Sequence, residues 1–248
     1  MFPILMGVLG WQGRESGADP ALPANLEGLL PVLAGELIFF GIIFALALAA
    51  SRASASQLFL QRPGIGLGRL LGRGLLWSVA LRLSVAIVTV GLATALTLVN
   101  GGDPANLEFL KPDTQSLINP EELLNNPVFL WMNLTVVSFV VAGFREELWR
   151  AGMLAGLFVL FPRLHRGWGG RLAAVGLIAL LFGFGHLPQG LGGVLMTSVL
   201  GLGLGFILVW RRSLWEATLA HGFFDATTFA LLYLLARFRP ETLQTLTG

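Results

Sequence analysis

The sequence predicts an all-α fold, a polytopic integral membrane helical bundle of about 6–8 membrane helices, because apolar runs of spanning length recur along the chain. Hydrophobic residues make up 55% of its 248 residues and charged residues only 12%, against about 25% charged residues in an ordinary globular domain. Such a chain has too little polar surface to cover a water-soluble globule, so a cytosolic enzyme and a disordered tail are excluded. It has no cysteine, which excludes disulfides, thiolate metal sites and a cysteine nucleophile.

Six apolar stretches account for this prediction, since a spanning helix needs about 20 mostly apolar residues. Five of them have a suitable length for one helix each: 31–50, 75–99, 172–187, 191–210 and 216–236. The sixth, 127–161, is too long for one simple span and carries four charged residues near its middle. We therefore expect one full span there, followed by a broken or re-entrant helix near 143–161.

Arginine placement predicts the orientation of these helices, because cytoplasmic loops carry an excess of basic residues. Segment 51–74 contains four arginines and no acid, so it should be cytoplasmic, as should the arginine-rich turns at 163–171 and 211–212. Loop 100–126 contains five acids against Lys111 and should lie outside. The basic residues sit at the ends of apolar runs, whereas a nucleic-acid-binding protein clusters them on one surface. We expect the lipid bilayer as a partner and no nucleic acid.

Charged residues inside an apolar run indicate a functional site. Each costs about 2.5–3.5 kcal/mol when it faces the bilayer centre unpaired, so the charges of the long stretch must pair and must face a protein interior or a cavity. On a helix, Arg150 follows Glu146 by four residues and Glu147 by three, and it can meet both carboxylates. One arginine can neutralise one carboxylate and orient the other, which leaves one carboxylate free to exchange a proton.

Two histidines and an aspartate also fall within apolar runs. His186 lies near the outer end of the 172–187 helix. His221 precedes Asp225 by four residues, so His221 and Asp225 project from one face of the last helix. We expect all three side chains to join the carboxylate pair in one polar site. A desolvated carboxylate could take a proton from water there, while the histidines hold the water and stabilise an oxyanion. The competing chemistry is a metal site, in which two histidines and a carboxylate bind zinc or another divalent ion. The residues alone do not separate the two.

Three short motifs resemble those of a known family. Residues 144–150 (Phe-Arg-Glu-Glu-Leu-Trp-Arg) fit an EExxxR pattern, residues 182–186 fit FxxxH, and residues 221–225 fit HxxxN/D. In this order, on successive apolar helices, they resemble the CPBP family of intramembrane peptidases, which includes CAAX proteases and bacteriocin-processing and immunity proteins. The resemblance extends over about 120–225.

This resemblance implies a helical membrane core with its site in a cavity within the bilayer. We expect residues 127–236 to form the CPBP-like catalytic core, after the N-terminal membrane helices and outer loop of 1–126 and before a tail at 237–248. The three parts would make up a single membrane domain. We expect a multi-pass protein of a bacterial inner (plasma) membrane.

The resemblance also implies a role for each residue of the first two motifs. Glu146 would activate water, with assistance from His186. Glu147 and Arg150 would support and orient this carboxylate.

The third motif would supply the oxyanion site through His221 and Asp225. Asp225 stands where many members have asparagine, and a carboxyl group donates a hydrogen bond only when it is protonated. The resemblance leaves a metal optional and makes no cofactor certain. A divalent metal such as zinc would take Glu146, His186 and His221 as its ligands.

The function predicted in this way is peptide-bond hydrolysis by a CPBP-type intramembrane endopeptidase. Its substrate would be a membrane-embedded or membrane-proximal protein or peptide, attacked by water that glutamate and histidine activate. One alternative is a non-catalytic membrane binding or assembly factor on the same fold, with a membrane protein as its partner. Another is an ion or proton transporter, since intramembrane carboxylates and histidines also mark proton relays. No inverted repeat or pair of interrupted helices in the sequence supports transport.

Overall fold

The computed structural model describes residues 25–61, 64–99, 110 and 119–241, and within these ranges its regular structure is entirely helical. In chain order the helices are α1 (Leu26–Ser51), α2 (Leu67–Val99), α3 (Pro120–Asn125), α4 (Pro127–Leu160), α5 (Pro162–His165), α6 (Trp168–Phe184), α7 (Gly190–Arg211) and α8 (Leu214–Phe238). A 3₁₀ turn, Leu187–Gln189, directly precedes α7. The predicted all-α fold is confirmed.

The helices have the dimensions of a membrane protein. In the described part of the chain, α1, α2, α4, α7 with its preceding turn, and α8 are each long and apolar enough to cross a bilayer. The sixth apolar helix, α6, has 17 residues and lies at the short end of the spanning range. Each of the six apolar stretches of the sequence therefore forms one helix, and the protein is an integral membrane protein. Its orientation stays a prediction.

Local signals in the sequence set the helix ends. The side chains of Asn25, Asn126 and Ser213 accept hydrogen bonds from the first free backbone N–H groups of α1, α4 and α8, as N-cap residues do. The helices α1 and α7 end at Arg52 and Arg212, which adopt the left-handed conformation. Both arginines lie at the boundaries of apolar runs, where a charged side chain can reach the membrane surface.

The structure differs from the sequence prediction in α4. No break occurs near 143–161, because the helix is continuous over Pro127–Leu160 and changes only its hydrogen bonding, from π-helical in Asn133–Glu146 to α-helical in Glu147–Leu160. A π turn still gives each backbone N–H a partner within the helix, which a bilayer requires. The charged residues are accommodated by pairing with other side chains, as described below. The helix ends before Pro162, where proline disfavours helical geometry in the preceding residue.

The helices α4 and α8 cross at very short distance because glycine occupies the crossing point on both. A Cβ atom on Gly143 would lie 2.8 Å from the carbonyl oxygen of Thr218, and one on Gly222 would overlap the ring of Phe139. Gly143 lies one turn before the acidic pair of α4, and Gly222 directly follows His221. The crossing therefore brings the acidic pair of α4 next to His221.

Two further sets of contacts hold the bundle together around this crossing. Glu216, at the start of α8 and buried, accepts hydrogen bonds from Arg73 of α2 at 3.2 Å and from Arg211 of α7 at 3.0 and 3.2 Å. Glycines of α7 allow α6 to approach closely, since a Cβ on Gly201 would contact Phe182 and Ala179. These contacts fix α2, α6 and α7 around the α4–α8 pair.

We expect Gly143→Ala to lower the free energy of unfolding by about 1–3 kcal/mol, the usual cost of overpacking. Gly156→Ala on the same helix is the matched control, because nothing lies within 4 Å of its Cβ position, and alanine favours a helix over glycine. Thermal unfolding in detergent micelles measures both. Equal melting temperatures for the two variants would contradict the close crossing.

Candidate active site

His221 lies at the centre of a cluster of three carboxylates. Its side chain, in the first half of α8, is only 3% exposed. The Nδ1 atom lies 2.9 Å from Oε1 of Glu147. The Nε2 atom, on the opposite edge of the ring, lies 4.0 Å from Oε2 of Glu146 and 3.8 Å from Oδ2 of Asp225. The ring is thus held at one edge by one carboxylate and faces two others with its second nitrogen.

Glu147 and Arg150 form a completely buried ion pair, with side-chain exposures of 0% and 1%. Nη1 of Arg150 donates to the same Oε1 atom of Glu147 that His221 contacts. The Arg150 guanidinium lies over the ring of Phe182, 4.4 Å from its centroid, where an aromatic face stabilises a cation. Breaking such a pair would leave a buried charge without a counter-ion. The pair therefore holds Glu147 both in position and in its ionised form.

The hydrogen bond to Glu147 also determines which nitrogen of His221 is available. A carboxylate can only accept, so Nδ1 of His221 carries a hydrogen and donates it. Nε2 is then an acceptor in the neutral ring and a donor in the doubly protonated ring. In either state it is Nε2 that faces Glu146 and Asp225.

Glu146 has a different environment from its neighbour in sequence. Its side chain is 20% exposed, and Oε1 accepts a hydrogen bond from Nη2 of Arg145 at 3.1 Å. Nη1 of Arg145 pairs with Glu36 of α1. Arg145 is thus shared between two carboxylates, and Oε2 of Glu146 is the atom that faces His221.

The aromatic ring of Phe182 connects His186 to the same cluster. Phe182 is buried at the end of α6, with its ring centroid 4.7 Å from that of His186 and 6.3 Å from that of His221. Nδ1 of His186 lies 2.9 Å from the carbonyl oxygen of Phe182, so Nδ1 carries the hydrogen here too. His186 and Glu146 also interact electrostatically. Phe182 therefore contacts both histidines and Arg150.

Metal binding is the alternative chemistry for these residues. Within the described ranges, no three His, Asp or Glu side chains are grouped so that they could hold a metal ion. Binding of a divalent metal by Glu146, His186 and His221 stays a prediction. The chemistry below relies on the groups of the chain itself.

The structure thus brings together the side chains that the sequence predicted to converge. Five of the six candidates are linked by direct contacts around His221, and His186 joins them through Phe182. Their catalytic roles stay predictions. The sequence analysis missed Glu36 as a partner of the site and gave Phe182 no role of its own. Glu36 is the only charged residue in the run 31–50, which is the signal that could have identified it.

Comparison with known proteins adds one finding. Residues 127–227 match the family model described as Type II CAAX prenyl endopeptidase Rce1-like. This segment contains α4 to α7 and the part of α8 up to residue 227, and with them all six candidate residues. The chain matches no curated protein and no solved structure. The resemblance of this part of the chain to the CPBP and CAAX protease family is confirmed.

We expect Arg150→Met to reduce the free energy of unfolding by about 3–5 kcal/mol, because it leaves the Glu147 charge buried and uncompensated. The double variant Arg150→Met with Glu147→Gln should recover part of this loss, since glutamine is neutral and can still accept from His221. The exposed Arg163→Met serves as the control. Thermal unfolding in detergent checks all three, and a double variant no more stable than Arg150→Met would contradict the buried pair.

Proposed function

We propose that the protein is an intramembrane endopeptidase that uses a carboxylate-activated water molecule. The observation that carries the proposal is the arrangement of His221, whose Nδ1 is held by Glu147 while Nε2 lies within 4.0 Å of both Glu146 and Asp225. One carboxylate is neutralised and fixed, and a second, partly exposed one remains beside it. The match of residues 127–227 to an endopeptidase family supports the same reaction.

In this mechanism Glu146 is the general base. The oxygen of a water molecule attacks the scissile carbonyl carbon, while Oε2 of Glu146 takes one proton of that water. The tetrahedral intermediate then collapses, the C–N bond breaks, and the leaving amine takes the proton from Glu146. His186 assists through Nε2, which is free because Nδ1 is bound to the carbonyl oxygen of Phe182.

His221 and Asp225 stabilise the oxyanion of the intermediate in this proposal. Nδ1 of His221 is already used by Glu147, so His221 donates to an oxyanion from Nε2, as the doubly protonated ring. The surrounding carboxylates compensate its positive charge. Asp225 donates only in its protonated form.

The proposed substrate is a membrane-embedded or membrane-proximal protein or peptide, because the site is built between membrane helices. A bacterial inner (plasma) membrane is part of the same proposal. A non-catalytic binding or assembly factor on this fold would also need the buried Glu147–Arg150 pair for stability. It would not need Glu146, so Glu146 is the residue that separates the two functions.

We expect Glu146→Gln and His186→Ala to reduce cleavage by at least about 100-fold, the contribution of a positioned general base. The purified protein is reconstituted in liposomes with a solubilised host membrane proteome, and new N-termini are quantified by mass spectrometry. Glu121→Gln, an exposed acid of α3, is the control and should leave cleavage unchanged. Cleavage at the wild-type rate by both site variants would refute the mechanism.

We expect Asp225→Asn to retain at least the wild-type rate in the same assay, because an amide N–H₂ donates without first having to be protonated. Asp225→Ala should lose about 10-fold or more, since it removes one oxyanion donor. The rates are compared at equal amounts of folded protein, judged by gel filtration. If asparagine were as damaging as alanine, Asp225 would not act as a hydrogen-bond donor.

A further inference from the structure

Helix α1 contributes a single charged side chain to the site. Glu36 is the only charged residue in the apolar run 31–50 of this helix, whose surface is largely exposed, and it pairs with Arg145 of α4. An acid in this setting costs about 2.5–3.5 kcal/mol if unpaired, so its presence calls for a partner. Glu36 lies outside the segment 127–227 that matches the family model, so nothing in that match accounts for it.

The geometry of Arg145 shows what Glu36 does to Glu146. Arg145 uses Nη1 for Glu36 and Nη2 for Oε1 of Glu146. An arginine with only one carboxylate in reach favours a bidentate pair, with two parallel N–H···O bonds. In the present arrangement the second N–H₂ group is occupied by Glu36. Oε2 of Glu146 therefore remains directed at Nε2 of His221, 4.0 Å away.

We propose that Glu36 is a positioning residue for Glu146: by competing for Arg145, it limits that arginine to one oxygen of Glu146 and leaves the other available as the general base. The general-base step rests on the proposed function, whereas the competition for Arg145 does not. Without Glu36, the guanidinium binds both oxygens of Glu146 and neutralises the base. Without Arg145, Glu146 loses this ion pair and keeps the contact of its Oε2 atom with Nε2 of His221.

The two substitutions therefore act on Glu146 in opposite directions. In Glu36→Gln the guanidinium of Arg145 covers both oxygens of the Glu146 carboxylate, and in Arg145→Met it covers neither. A purely structural role for the Glu36–Arg145 pair would move both variants in the same direction, because each breaks the same contact between α1 and α4.

A carboxyl-specific reagent measures how available the carboxyl group of Glu146 is in each variant, and it does so without an activity assay. Dicyclohexylcarbodiimide, an apolar reagent, modifies protonated carboxyl groups, and mass spectrometry of the purified full chain in detergent quantifies the adduct at Glu146. Relative to wild type we expect labelling of Glu146 at least about threefold slower in Glu36→Gln and at least about threefold faster in Arg145→Met, the size of effect that one ion pair produces. The fully buried Glu147 in the same peptide is an internal reference.

Two more variants complete the labelling experiment. Glu36→Asp keeps the charge and should restore labelling toward the wild-type rate. Glu27→Gln, the other acid of α1 and exposed, should leave it unchanged. Equal labelling in Glu36→Gln and wild type, or a change of the same sign in Glu36→Gln and Arg145→Met, would overturn the proposal. The labelling experiment tests the competition for Arg145 whether or not the protein cleaves a substrate.

A synthetic peptide that spans one cleavage site found in the proteome assay supplies the second readout, because its concentration can be varied. Glu36→Gln should lower kcat about 10-fold and leave KM within about twofold, because the base is affected and substrate binding is not. Glu36→Asp should recover most of kcat. A rise in KM at unchanged kcat would overturn the positioning role. Absence of cleavage in the wild type would refute the proposed function while the labelling result still decides the competition for Arg145.

Discussion

The close crossing of α4 and α8 is the constraint on which the site depends. Glycine at 143 and at 222 removes the side chains that would otherwise separate the two backbones. Because of this short separation, the carboxylate of Glu147 reaches the ring of His221 directly. A side chain at either glycine would push the helices apart, and the contact between residues 74 positions apart in the sequence would be lost.

The two histidines are fixed by the same physical means. Each has Nδ1 bound to an oxygen that can only accept, the carboxylate of Glu147 for His221 and the carbonyl of Phe182 for His186. Each therefore carries its first hydrogen on Nδ1 and leaves Nε2 for the site. Phe182 lies between them, and its face also holds the Arg150 cation. One aromatic ring thus couples the orientation of α6 to that of α4 and α8.

Much of this arrangement could be predicted from the sequence, because apolar runs define the helices and charges within them must pair. The convergence of the acidic motif with His221 follows from that reasoning. The continuity of α4 could not be predicted in this way, because apolar periodicity does not distinguish a π-helical stretch from a break beside charged residues. The partners of Arg145 and of Arg82, which binds the carbonyl oxygen of Phe224 and two threonines of α8, depend on helix rotation and separation. Yet Glu36 and Arg82 are each the only charge in an apolar run, and the cost of burying such a charge was sufficient reason to look for a partner.

Adjacent carboxylates in one helix would ordinarily have similar surroundings, but a step of about 100° around the helix axis separates Glu146 from Glu147. That rotation directs Glu147 into the interior, where Arg150 of its own helix and His221 use its Oε1 atom and leave the side chain no freedom. It directs Glu146 toward a partly exposed position, where Arg145, with which it pairs, is shared with a carboxylate of another helix. A carboxylate locked in a buried ion pair cannot exchange a proton without breaking that pair, whereas one that shares its arginine can. The order of the two glutamates therefore determines which one is suited to act as a base, and exchanging their environments would require a different rotation of α4 against α8.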